Sequence, residues 1–262
     1  MHSALWISKT GLDAQQTNVA TISNNLANAS TVGFKKSRAI FEDLLYQNVN
    51  QPGANATQDT KLPSGLMIGS GAKVVAVQKN FEQGNALTTN NSLDLMIDGR
   101  GFFEIEMPDG SSAFTRNGEF MLNEEGTLVT PGSGYPLVPQ IQIPDNAQSI
   151  SIGSEGEVSV NVAGQAENQV VGQINVSAFI NASGLQPLGE NLYSETGASG
   201  APIEGVPGGD GLGFIRQGML ETSNVNVTEE LVNLIESQRV YEMNSKVISA
   251  VDEMLSYISQ QL

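Results

Sequence analysis

The chain has no cysteine and a single histidine, His2. Without thiols there is no disulfide, no thiolate metal site and no cysteine nucleophile. One histidine gives a catalytic triad or a histidine-ligated metal site nothing to assemble from. Basic residues are also scarce, 12 Lys and Arg against 28 Asp and Glu, for a net charge of −16. The shortage is concentrated in residues 101–200, where Arg116 stands alone against twelve acidic residues. Nucleic acid, which needs basic patches, is therefore not an expected partner. An acidic middle reads first as solubility, and second as a surface that meets a basic partner or repels an acidic one.

No apolar run reaches the roughly 20 residues of a membrane span, so no membrane insertion is expected. Met1-His2-Ser3-Ala4-Leu5-Trp6 lacks the basic and apolar regions of a cleaved signal peptide, so export, if any, is expected to proceed without one. Gly69-Ser70-Gly71-Ala72-Lys73 matches neither the phosphate loop nor the dinucleotide fingerprint, and no EF-hand spacing occurs. Asp94 and Asp98 precede the hairpin region, and Asp98-Gly99-Arg100-Gly101 reads as a turn rather than a binding loop. Glu104 and Glu106 alternate along a strand and read as solvated positions, with no support for a glycosidase pair. No enzyme, cofactor or metal is expected.

What is present is a long heptad pattern over residues 224–262. Val227, Leu234, Tyr241, Ile248, Leu255 and Leu262 recur every seventh residue, with Val240, Val247, Val251, Met254 and Ile258 beside them. This is the spacing of a helix whose apolar seam faces another helix. Asn226 is placed to cap it, with Glu229 three residues on. Residues 3–29 offer a partner, with Leu5, Leu12, Val19 and Leu26 seven apart and Ile22 and Ala29 alongside. Tyr241 and Met254 read as seam packing. Trp6 is either an anchor between subunits or internal packing. Asn24-Asn25-Leu26-Ala27-Asn28 reads either as fraying toward a C-cap at Gly33 or as amide ladders between packed copies.

Between these helices the chain is rich in glycine (28 residues) and in turn signals. Residues 35–46 suggest a short amphipathic segment and residues 47–66 a polar linker. Apolar runs at 74–78, 93–97, 102–107, 113–115, 120–122, 127–129, 141–143, 149–152, 157–162 and 173–180 alternate with Asp109-Gly110, Asn117-Gly118 and Glu125-Gly126. Such dipeptides supply the positive φ of tight hairpins, and the region reads as antiparallel β, a small barrel or sandwich. The fold class expected is α+β.

Asn24-Asn25-Leu26-Ala27-Asn28 followed by Thr31-Val32-Gly33-Phe34-Lys35 resembles the N-terminal signature of the flagellar rod and hook axial proteins. Residues 3–16 (SALWISKTGLDAQQ), 41–46 (FEDLLY), 62–66 (LPSGL) and 222–233 (TSNVNVTEELVN) are similar to the distal-rod branch of that family in particular, and the likeness runs end to end. The resemblance implies an inner coiled-coil-like assembly domain (1–34 with 224–262), an intermediate domain (35–90 with 190–223) and an outer acidic β domain (91–189). It implies a helical homo-oligomer, a drive shaft crossing the periplasm. Its partners would be proximal rod subunits, hook subunits, the P-ring and L-ring bushing and the type III export apparatus. The stretch holding Pro52, Gly53, Leu62, Pro63, Ser64 and Gly65 would stiffen the rod by packing between subunits, ordered in the assembly and mobile in the monomer. The acidic outer face would keep the shaft from sticking to its bushing. Two rivals stand beside this reading: another axial subunit of the proximal rod or hook, and an adhesin with a β domain on a coiled-coil stalk.

Overall fold

The computed structural model describes residues 3–50, 65–162, 168–209 and 211–261. Pro52, Gly53, Leu62, Pro63, Ser64 and Leu262, as well as the side chain of Ile258, lie outside the described residues. The chain is α+β, with a helix toward each end and a β-rich middle, and it divides into two compact units. One unit comprises residues 1–27, 37–79 and 226–262, and the other residues 28–36 and 80–225.

The first unit is built on helices α1 (Ser3–Ala27) and α2 (Val227–Gln261). Neither proline nor glycine interrupts α2. As expected, Asn226 caps it: its Oδ1 accepts from the amides of Thr228 (3.1 Å) and Glu229 (3.4 Å). The helices run antiparallel, since Asn25 bonds Glu230 while Asn18 bonds Ser237. Residues 35–46 are not a free amphipathic segment. Strand Ser37–Asp43 pairs antiparallel with Ala72–Lys79, as the β-branched run at 74–78 requires. Both margins of the expected linker are strand as well, Gln47–Asn50 pairing with Leu66–Ile68.

In the second unit the expected antiparallel strands form, but they do not close into a barrel. Among the described residues they make a five-stranded sheet, a three-stranded sheet (Ala147–Ile152, Glu157–Val162, Gln169–Gln173) and several two-stranded ribbons. The five-stranded sheet runs Leu137–Val138, Phe103–Glu106, Ser112–Thr115, Leu192–Ser194, Gln186–Gly189. Strands of two to six residues are too short to wrap a barrel wall. Successive side chains point to opposite faces, and both faces of this sheet are covered. Phe103, Ile105 and Ala113 join an aliphatic core with Leu95, Leu128, Val158, Val160, Ile174 and Ile215. Phe102, Phe114, Phe179 and Tyr193 form a separate aromatic cluster of edge-to-face contacts, Phe114 and Phe179 lying 4.7 Å apart. Burial pushes the Tyr193 hydroxyl pKa up to about 12.

The turn dipeptides divide in two. Gly110 and Gly126 take positive φ (78° and 74°), as hairpin turns demand. Gly118 does not; a Cβ there would sit 1.6 Å from the Leu95 carbonyl oxygen, so close backbone approach selects the glycine. Gly118→Ala is accordingly expected to cost about 3 kcal/mol. Gly110→Ala, facing open space, is expected to cost only about 1 kcal/mol of backbone strain. Chemical denaturation of the two variants checks this ordering.

Candidate assembly surfaces and the buried ion cluster

Where the helices meet, the pairing advances seven residues at a time on both. Asn25 Nδ2 donates to Glu230 Oε2 (3.2 Å) and Asn18 Nδ2 donates to Ser237 Oγ (2.9 Å). Gly11 leaves room for Asn244, whose Nδ2 would lie 3.1 Å from a Cβ at position 11. The row on α2 facing α1 is thus Glu230, Ser237, Asn244 and Val251, with Leu234, Ile248 and Leu255 half-buried beside it. On α1, Ile22 is buried and Leu5, Leu12, Val19 and Leu26 are half-buried. Val227, Tyr241 and Met254 are exposed, so Tyr241 and Met254 are not seam packing within the chain. The heptad period was legible, but the row of contact lies on polar residues that an apolar-spacing argument passes over.

Of the signature residues, Asn25 does the most. It is buried, its Nδ2 donates to the Ser37 carbonyl (2.8 Å) and its Oδ1 accepts from the Ser37 amide (2.8 Å). With Glu230 it therefore ties α1 to α2 and to the start of the Ser37–Asp43 strand. Within the chain, that accounts for this asparagine without fraying or ladders between copies. Asn28 accepts from Thr31 (3.3 Å), while Asn24 and Ala27 are exposed. Asn25→Ala strands three polar groups and is expected to destabilise the helical unit by about 3 kcal/mol, read from its denaturation midpoint.

Gly33, Phe34 and Lys35 belong to the other unit and are buried. Gly33 has φ of +70° and lies beyond the end of α1, so it is no C-cap. Its amide donates to the Glu221 carbonyl (2.8 Å), and a Cβ would lie 2.7 Å from the Asn117 nitrogen. Lys35 is fully buried and pairs with Glu221, 2.6 Å from Nζ to Oε1, while also donating to the Glu82 carbonyl (2.7 Å). Arg116 reaches the other carboxylate oxygen of Glu221 at 3.3 Å and donates to the carbonyls of Gly99 (2.7 Å) and Ile97 (3.4 Å). The Gly84 amide donates to Glu221 Oε1 at 2.8 Å, and the Arg116 guanidinium lies 5.4 Å from the Phe102 ring centroid. Burial holds both cations below their usual pKa, and Glu221 opposes that shift. One carboxylate thus serves two buried cations. The sequence marks Lys35 only as part of the family signature and gives Glu221 and Arg116 no role. The lone cation of an acidic stretch was the available signal.

Glu104 is buried rather than solvated, and Ser177 Oγ donates to it (3.3 Å). Asp94 is buried and accepts from Asn91 (2.9 Å); Asp98 pairs with Arg216 at the surface. Among the described residues no group of three or more Asp, Glu or His is arranged to hold a metal, and no helix is long and apolar enough to cross a membrane.

Large apolar side chains also stand exposed in the helical unit. On α2, Val232 (59% exposed), Ile235 (50%), Met243 (57%) and Met254 are apolar side chains left in solvent. Leu45, Tyr46, Val49, Leu66, Met67, Val75 and Val77 are exposed on the ribbons of the same unit. A monomer seldom leaves so much apolar surface uncovered unless a partner covers it.

Comparison with known proteins agrees. Residues 6–35 match the family model "Flagella basal body rod protein", 96–160 the "Flagellar hook protein FlgE/F/G D1 domain" and 216–261 the "Flagellar basal body rod FlgEFG protein C-terminal". The chain is 55% identical to the flagellar basal-body rod protein FlgG of Buchnera aphidicola subsp. Schizaphis graminum, over 99% of this chain and 100% of that one. It is 54% identical to the FlgG of Buchnera aphidicola subsp. Acyrthosiphon pisum over the same shares. Against the rod protein FlgF of Caulobacter vibrioides identity falls to 33%, over 97% and 95% of the two chains.

Proposed function

The chain belongs to the FlgG family of flagellar basal-body rod proteins, and from that premise we propose that it is a structural subunit of the distal rod, assembling with copies of itself into a helical tube that carries torque across the periplasm to the hook. The observation that carries this is the set of large apolar side chains that α2 and the ribbons of its unit leave in solvent. Identical copies related by a rotation that does not close extend such contacts into a filament. The chain then works mechanically: close-packed helices resist twist because packed interfaces compress little.

In this reading α1 and α2 form the coiled-coil-like inner wall, and the expected interface residues act in two groups. Leu5, Leu12, Val19, Ile22, Leu26, Leu234, Ile248 and Val251 hold the pair together, while Val227, Tyr241, Leu255 and the exposed apolar residues of α2 meet neighbours. The division into inner, intermediate and outer domains, and the partnership with proximal rod, hook, P- and L-rings and export apparatus, belong to the same proposal. The acidic β-rich unit, with five basic against eighteen acidic residues, is the part that keeps the shaft free of its bushing. Of the rivals, another axial subunit is disfavoured by the lower identity to the rod protein FlgF. A stalked adhesin would form a small closed bundle.

The experiment is complementation. In a motile cell whose own distal-rod subunit is deleted, expression of this chain is expected to restore full-length rods and swimming. Stable expression and export with no rod would refute the proposal.

A further inference from the structure

The seven-residue steps fix where the helices stop overlapping. Continuing the series from Gly11 and Asn244 places Ala4 opposite Val251, which is buried. Ser3, where α1 begins, then falls opposite Asp252, and α2 runs on to Gln261. At 1.5 Å per residue that leaves about 14 Å of α2 projecting past α1. Near the same end, within the helical unit, lies a groove of 330 Å³ lined by Ser3, Trp6, Ile7, Gln47, Ile68 and the Gly69-Ser70 turn. Trp6, Ile7 and Ile68 are all solvent-exposed there, Trp6 at 48%.

The two features are complementary in charge. In residues 3–12 the only charged side chain is Lys9, whose Nζ lies 5.6 Å from the Trp6 ring centroid. Beyond Lys246, α2 has no cation, and its end carries Asp252 and Glu253 next to the exposed Met254. By the same register, residues 253–261 lie beyond Ser3, whereas Trp6 lies inside the paired region. We infer that the groove around Trp6 receives the projecting end of α2 from a second copy of this chain, with Met254 against Trp6 and Ile68 and the Asp252-Glu253 pair against Lys9. This rests on the self-assembly proposed above and names the surfaces that meet end to end.

The test is trans rescue, read as the critical concentration for assembly by sedimentation at low salt. Lys9→Glu alone and Asp252→Lys/Glu253→Lys alone are each expected to raise it about tenfold, since attraction becomes repulsion at one contact. An equimolar mixture of the two proteins is expected to return within about twofold of the unaltered chain. In alternation one contact is rebuilt with reversed signs and the other is native, which no contact within a single chain can achieve. Trp6→Ala is expected to raise the critical concentration tenfold or more by removing the anchor. Single variants that assemble like the parent, or a mixture that is not rescued while both proteins keep parental helix content, would overturn the docking site. If the unaltered chain itself never assembles, it is the self-assembly reading that fails.

Discussion

Glu221→Gln is expected to lower the unfolding temperature of the β-rich unit by about 10 °C. The substitution keeps the shape and removes the charge, leaving Lys35 and Arg116 buried side by side with no anion between them. Stranding one partner of a buried ion pair costs about 3–5 kcal/mol, and each kcal/mol moves a domain of this size by roughly 2–4 °C. Lys35→Met should cost about half as much, because Arg116 and Glu221 remain a neutral pair. The triple variant Lys35→Met, Arg116→Met, Glu221→Leu should recover most of the loss, since apolar replacements of a whole buried cluster are often near neutral. Calorimetry of the four proteins tests the set. A Glu221→Gln protein within about 1 kcal/mol of the parent would show that water reaches these groups and that the cluster does not hold the unit together.

The second large effect concerns assembly rather than folding. Ile235→Asp with Met243→Asp is expected to raise the critical concentration for assembly at least 100-fold while leaving thermal unfolding of the monomer unchanged. Both side chains are at least half exposed, so the folded monomer loses little. In a filament each would be buried, and withdrawing a large apolar side chain from water is worth about 1.5–3 kcal/mol, which charge and desolvation turn into a penalty. Ile248→Asp makes the contrast. It is half-buried against α1 and should weaken the helix pair and assembly together, leaving the β-rich unit folded. Equal effects of the two changes on monomer stability would contradict this division of α2 between residues that hold the pair and residues that meet neighbours.

Periodicity reported the helices well because a helix must bury a face, and spacing records which face. It fixed α1 and α2, and the Asn226 cap, within a few residues. It failed on the contact row because Glu230, Ser237 and Asn244 are polar, and a polar contact needs a particular partner across the pair, here Asn25, Asn18 and the space above Gly11. Turn dipeptides located most strands, but no rule of alternation reports how sheets close, and the expected barrel is a set of short sheets. The buried cluster was least legible. Lys35, Arg116 and Glu221 are separated by 81 and 105 residues in sequence and carry the same letters as surface charges. Only the fold tells a solvated lysine from one enclosed with a carboxylate. The family resemblance marked Gly33, Phe34 and Lys35 as a unit, and the structure supplies the reason: a close backbone approach, a core aromatic and an ion pair.

Electron cryomicroscopy of the purified, assembled protein tests the central claim most directly. The account predicts an open helical tube, with α1 and α2 in its wall and the exposed apolar residues of α2, Val232, Ile235, Met243 and Met254, buried between copies. A closed ring or small bundle, or a tube whose contacts leave those residues in solvent, would contradict it.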